Sequence, residues 1–149
     1  LLADKGPRLP FPYSSGIEGS KHSHMRELRI QHAGKPYRVL YAFDPRRTAI
    51  LLIGGDKTGN DRWYQEFVPL ADALYDQHVE ELKKEGLFRE VVRAINQKRK
   101  EAKMTREYSV SVLYQTDDEL LKSVFVDFES ELKRDRVMGF SAENRVVER

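Results

Sequence analysis

Between Met25 and Tyr64 the chain reads MRELRIQHAGKPYRVLYAFDPRRTAILLIGGDKTGNDRWY, three strand-like runs separated by two short turn signals. In the first run an extended backbone puts Arg26, Leu28 and Ile30 on one face and Met25, Glu27 and Arg29 on the other. Gln31 to Pro36, with Gly34 inside it, reads as a turn. Tyr37 to Phe43 is rich in aromatic and branched side chains, which suit a pleated, half-buried surface. Asp44-Pro45-Arg46-Arg47 reads as a tight turn, with Pro45 fitted to the second position of type I geometry. Ala49 to Ile53 is apolar throughout, as in a strand buried on both faces, and Gly54 to Asn60 reads as a flexible polar loop.

Charge is concentrated on the same stretch. From Lys21 to Arg62 there are nine Lys or Arg against four acids, whereas the whole chain carries a formal net charge of only +2. A basic sheet in nearly neutral surroundings is an electrostatic footprint for a polyanion. His22, His24 and His32 lie in the same window.

The flanks are less regular. Residues 7–20, with three prolines, two glycines and three serines, read as loop, and Leu1-Leu2 ahead of Gly6-Pro7 reads as the end of a helix that starts upstream. Asn60 or Asp61 caps a helix from about Arg62 to Lys84 that stops at Gly86, with Phe67, Leu70, Ala71, Leu74 and Leu82 as its apolar stripe and Pro69 near its start. From Trp63 to Gly86 six acids face two lysines, so the outside of this helix is acidic. Leu87 to Arg106 is a basic helical or linker segment. Tyr108 to Tyr114 alternates like a strand. Asp117 or Asp118 then caps a helix to about Arg136, its buried stripe Leu120, Leu121, Val124, Phe125, Phe128 and Leu132. The last dozen residues are polar and read as frayed.

Composition removes several classes. Cysteine is absent, which excludes a disulfide framework, a thiolate metal site and a cysteine nucleophile, and fits a cytoplasmic setting. No apolar run reaches the ~18–20 residues that span a bilayer, and no basic-then-apolar leader pattern is present. The glycine loop lacks the order G-x-x-x-x-G-K-[ST], so it is no nucleotide P-loop. The histidines have no carboxylate placed beside them in the pattern of a metal site, and no cofactor is expected.

The segment from Arg26 to Leu82 resembles the RelE/ParE superfamily of bacterial toxins, especially its phage-derived, HigB-like branch. The resemblance is carried by H-S-H-M-R-E-L-R at His22–Arg29, by G-K-P-Y-R-V-L-Y-A-F-D-P-R-R at Gly34–Arg47, and by L-L-I-G-G-D-K-T-G-N-D-R-W-Y at Leu51–Tyr64; the acidic helix ending E-E-L-K-K-E-G also matches. It implies an α+β fold: an antiparallel sheet of three to four strands with packed helices, here with a C-terminal strand-helix extension. It implies residues 1–86 as the toxin core, without the family's usual N-terminal strand and helix, and 87–149 as a basic linker and strand-helix unit. That unit completes the fold, forms a separate module, or docks as an unrelated extension.

The resemblance further implies a toxin of a type II toxin–antitoxin pair: a metal-independent endoribonuclease that cleaves messenger RNA, commonly on the ribosome, with a cognate antitoxin, often of helix-turn-helix type, as partner. A gyrase-binding toxin of the ParE kind and a non-catalytic RNA- or protein-binding module are the alternatives. Arg38 in Y-R-V-L-Y matches the arginine that related toxins place beside the scissile phosphate; Arg29, Lys57 and Tyr64 match further basic and aromatic positions of the catalytic set. Arg26, Lys35, Arg46, Arg47 and Arg62 are the candidates for holding the RNA backbone, although charged residues in a turn such as Arg46-Arg47 are exposed by default. Glu27 stands where some relatives carry a second lysine, a departure that leaves room for a histidine in acid/base work. Tyr37, Tyr41 and Phe43 share a face and read as core, and one of Trp63 and Tyr64 packs under the sheet.

Overall fold

A computed structural model describes residues 2–105, 107–135 and 137–142. The chain forms two compact units, Leu1–Val79 and Glu80–Arg149. The first unit is α+β, with a four-stranded antiparallel sheet of order β1-β2-β3-β4: β1 (Ser14–Gly16), β2 (Arg26–His32), β3 (Lys35–Phe43) and β4 (Ala49–Asp56). A short helix, α1 (Leu2–Lys5), and a single 3-10 turn (Gly6–Arg8) precede it. Residues 7–20 are thus more ordered than their loop composition foretold, because Ser14–Gly16 find hydrogen-bond partners on the edge of β2.

Register follows the alternation read from β2. Glu27 pairs with Leu40, Arg29 with Arg38, and Arg38 in turn with Gly55, so these residues share one face. Met25, Leu40 and Ala42 on that face pack with Trp63, Val68, Ala71 and Tyr75 of α2 (Trp63–Glu101) into the buried core of the unit. On the opposite face Tyr41 is buried, its hydroxyl 2.9 Å from Ser14 Oγ, and Arg26 donates to that same Ser14 oxygen at 3.1 Å. Tyr41 meets the core expectation, whereas Tyr37 and Phe43 are only half-buried.

Two expectations for β4 fail together. Leu51 is 60% exposed, so the strand is not buried on both faces. The supposed loop at Gly54-Gly55 is strand, paired with Val39 and Arg38. Gly54 permits this pairing. A Cβ added there would lie 2.9 Å from both the Arg38 carbonyl oxygen and Val39 Cγ2, closer than real contacts allow. At Gly55 the nearest atom is Trp63 Nε1 at 3.7 Å, an ordinary contact. Gly54→Ala is therefore expected to cost about 1–3 kcal/mol, and Gly55→Ala less than about 0.5 kcal/mol, read as midpoints of urea unfolding. Equal costs would show that the close approach is not what selects glycine.

Helix α2 also departs from its forecast. Over residues 63–84, the span of the forecast, its buried positions are Trp63, Val68, Ala71, Asp72 and Tyr75, while Leu70 and Leu74 are 51% and 40% exposed. The stripe is rotated because Trp63 and Tyr75, not the leucines, fill the space under the sheet. Nor does the helix stop at Gly86; it runs on to Glu101. Glycine ends a helix when it takes up a left-handed conformation, and Gly86 shows no positive φ. It is exposed, and a Cβ added there meets nothing within 4 Å. Gly86→Ala is expected to stabilise the chain by about 0.5–1 kcal/mol through lower unfolded-state entropy, visible as a higher unfolding midpoint at unchanged helicity.

The second unit contains the rest of α2, then β5 (Val110–Tyr114), α3 (Glu119–Asp127), α4 (Glu129–Arg134) and β6 (Val137–Ala142), with β5 and β6 parallel. Parallel neighbours need a crossover, and α3 with α4 supplies it. Asp118 caps α3, accepting from the backbone N–H groups of Leu120 and Leu121. The single helix expected to Arg136 is broken at Phe128, which leaves helical geometry and stacks on Phe88 with ring centroids 4.6 Å apart. Phe125, Leu132 and Val137 are buried in this unit's core, with Val91, Val92 and Ile95 packed against them. Part of the supposedly frayed terminus is β6, and residues 143–149 lie outside the described residues.

Candidate nucleic-acid site on the first unit

Glu27 is the centre of the site. It lies on the helix-facing side of β2 at 2% exposure, in a place where an ionised carboxylate must be matched by donors and positive charge. Four groups do so. Oε1 accepts from Ser15 Oγ at 2.9 Å and from Arg29 Nε at 2.7 Å. Oε2 accepts from the Tyr64 hydroxyl at 2.6 Å and lies 3.6 Å from Arg38 Nε. The partners come from β1, β2, β3 and the first turn of α2, so this one carboxylate ties together four separate pieces of chain.

Electrostatics follows the contacts. Burial opposes the charge on Glu27 most strongly, yet the hydrogen bonds from Tyr64, Arg29 and Ser15 and the Arg29 charge outweigh it, and its pKa falls below the ordinary value. The Tyr64 phenol is pushed the other way: burial first, then the hydrogen bond to Glu27 and its charge raise it, with Arg38 opposing. At neutral pH the group is thus a carboxylate, two guanidinium ions and a neutral phenol whose proton points at the carboxylate.

Arg38 is partly open to solvent, with 18% of its side chain exposed. Its Nη1 donates to the Tyr37 carbonyl at 2.9 Å, whereas its buried Nε makes no hydrogen bond. Lys57 follows β4, its backbone N–H bonded to the Pro36 carbonyl at 2.8 Å, and its Nζ sits 5.4 Å from the centroid of the Tyr64 ring. The four residues proposed as catalytic, Arg29, Arg38, Lys57 and Tyr64, are therefore brought together. The pairing of Gly54 and Gly55 with β3 carries the chain to Lys57 at this end of the sheet.

The RNA-contact candidates are more scattered. Lys35 and Arg62 are exposed near the same end, Lys35 with its Nζ 3.5 Å from Asp56. Arg26 is on the opposite face, bonded to Ser14 and to the Leu9 carbonyl. Arg46 and Arg47 lie beyond the far end of β3, about 16 Å of strand from Arg38 to Phe43 alone. There Asp44 organises the turn: its Oδ1 accepts from the Arg46 and Thr48 backbone, and its Oδ2 from Arg46 Nε and His78 Nε2. Arg47 takes a positive φ of 62° and borders a cleft of about 800 Å³ with Lys5, Arg8 and Phe43.

The histidines form another group. His22 Nε2 is 2.8 Å from Asp76 Oδ1, and His24 Nε2 is 3.0 Å from the Tyr75 hydroxyl, which donates to the Phe43 carbonyl. Tyr75 is eleven residues past Tyr64, about 16 Å along a helix axis. His32 is exposed at the end of β2. None of them bonds to Glu27. Among the described residues no group of three or more His, Asp or Glu side chains is placed to hold a metal ion, and no helix is long and apolar enough to cross a membrane.

Sequence reasoning noted Glu27 only as a departure and passed over Ser15. The signal was present, since an acid two residues before Arg29 in a strand must share its face.

Two curated proteins of Mycobacterium tuberculosis are similar to this chain. One, named "Putative toxin HigB3", is 49% identical over 73 residues, covering 48% of this chain and 62% of its own length. The other, named "Putative toxin HigB2", is 40% identical over 81 residues, covering 53% of this chain and 40% of its own. The chain thus spans about half the length of these relatives. No solved structure matches it. The match to the HigB-like branch read from the Arg38 strand and the Gly54-Gly55 segment is met by these relatives, and the model of one family covers residues 1–76, which include the entire Glu27 cluster. The chain belongs to that family, the phage derived protein Gp49-like family (DUF891).

Proposed function

We propose that this chain is a toxin of a toxin–antitoxin pair and acts as a metal-independent endoribonuclease. The observation that carries the reading is the convergence of Arg29, Arg38 and Tyr64 on Glu27, with Lys57 over the Tyr64 ring, at one end of a basic sheet. In the reaction the ribose 2′-oxygen attacks the adjacent phosphorus, the 5′-oxygen leaves, and a 2′,3′-cyclic phosphate remains. Negative charge grows on the phosphoryl oxygens as the new bond forms. Fixed cations aimed at those oxygens stabilise the transition state more than the ground state. Arg38, held yet partly open, supplies that charge, with Lys57 over the Tyr64 ring as a second cation. Lys35 and Arg62 extend the positive field along the RNA backbone. The relatives are named as toxins, which supports a protein antitoxin as partner. In this reading residues 1–86 carry the toxic activity and residues 87–149 are an extension of it.

The test is incubation of the chain with end-labelled RNA in EDTA, both free and in a translating extract. Products ending in a 2′,3′-cyclic phosphate are expected, and a 2′-deoxy substitution at the cleaved position should block them. Intact RNA that is nevertheless bound would favour a non-catalytic module. Gyrase-dependent DNA breaks with intact RNA would favour the gyrase-binding reading.

A further inference from the structure

We infer that Glu27 is the positioning residue of this site, holding Arg29, Arg38 and the Tyr64 phenol in place rather than taking the proton of the substrate itself. The inference rests on the ribonuclease reading for its consequence but on geometry for its substance. A general base must come within about 2.6–3.2 Å of the hydroxyl it deprotonates. Glu27 is 2% exposed, and both of its oxygens are already engaged. Oε1 has Ser15 and Arg29; Oε2 has the Tyr64 proton and faces Arg38 at 3.6 Å. No face of the carboxylate is left for a ribose.

Its value to the site is orientation. Arginine and tyrosine side chains on a half-open surface sample several rotamers, and each one fixed in advance removes an entropic cost from the transition state. The carboxylate also keeps two guanidinium ions close together, which would repel each other without it. Arg29 has a second brace, its guanidinium carbon 5.1 Å from the centroid of the Phe11 ring. With its proton directed at Glu27, the Tyr64 oxygen is left as an acceptor, and the Arg38 guanidinium is the donor beside it.

The experiment compares the full chain with Glu27→Gln, which keeps size and an acceptor oxygen, and Glu27→Asp, which keeps charge but shortens the arm. Two readouts do not depend on cleavage. The Nε–Hε signal of Arg29, assigned with Arg29→Lys, should be sharp in the native chain and broadened by exchange in Glu27→Gln. The Tyr64 phenol, followed by ultraviolet titration against a Tyr64→Phe control, should ionise at lower pH in Glu27→Gln. The third readout is the pH profile of cleavage. The acid limb should remain in Glu27→Gln while kcat falls about 10- to 100-fold, and Glu27→Asp should recover part of the loss. Unchanged arginine and tyrosine signals in Glu27→Gln would overturn the inference. So would loss of the acid limb, which would make Glu27 the base. If the native chain cuts no RNA, the ribonuclease reading falls, while the two spectroscopic signals still decide the role of Glu27.

Discussion

Alanine at position 38 is expected to lower RNA cleavage about 100- to 1,000-fold, the usual loss when one preorganised charge or donor is taken from a developing oxyanion. Arg38 stands on β3 opposite Gly55 of β4, and its guanidinium keeps part of its surface open. Removing it leaves Glu27 with Ser15, Arg29 and Tyr64 as partners, so the carboxylate stays neutralised and the unit still folds. Arg38→Lys restores a charge but not the planar fork, and should recover only a fraction of the activity. Initial rates on a labelled transcript, set beside thermal unfolding of the same samples, decide the matter. A variant that cuts normally, or one whose melting temperature collapses, would remove Arg38 from the chemistry.

Trp63→Ala should give the largest loss of stability, about 3–5 kcal/mol, a substantial part of the ~5–15 kcal/mol that holds a typical domain. The side chain is fully buried and stacks on Phe67 with centroids 4.6 Å apart and planes 16° from parallel. It also meets the Tyr64 ring edge-on at 5.2 Å, so the cavity would open directly beneath the Glu27 cluster. Trp63→Phe separates size from polarity. The indole Nε1 is buried without a hydrogen bond, and phenylalanine discards that unmet donor while keeping most of the ring. Its cost should stay below about 1.5 kcal/mol. Because Trp63 is the only tryptophan, unfolding is followed by far-ultraviolet circular dichroism in urea. A small loss in Trp63→Ala would mean that the core closes over the gap.

What was legible in the sequence was what depends on local pattern. Alternation placed β2 and put Glu27 and Arg29 on one face; the Asp44-Pro45 turn is closed by a 2.8 Å bond from the Arg47 N–H to the Asp44 carbonyl; Asp118 caps α3. What was hidden depends on neighbours distant in the chain. Gly54-Gly55 reads as a loop by composition, and only the closeness of the β3 backbone makes it a strand. Gly86 reads as a helix stop, but an exposed glycine with nothing to terminate against simply continues the helix. Leu70 and Leu74 lost their places in the core to larger aromatic side chains. In the candidate site, the resemblance pointed to Arg29, Arg38, Lys57 and Tyr64, which do converge. It said nothing of the buried acid between them, because a Glu in a basic strand looks alike in sequence whether it faces water or three donors and a second guanidinium.

The hydroxyl of Tyr75 has a single proton, and it is committed to the carbonyl of Phe43. His24 must then be the donor in its contact with that hydroxyl, carrying hydrogen on Nε2. The two bonds run one after the other from ring to phenol to main chain. The segment before β2, the helix and the end of β3 are thus joined by a relay whose direction is set by the Phe43 carbonyl, the one member that can only accept.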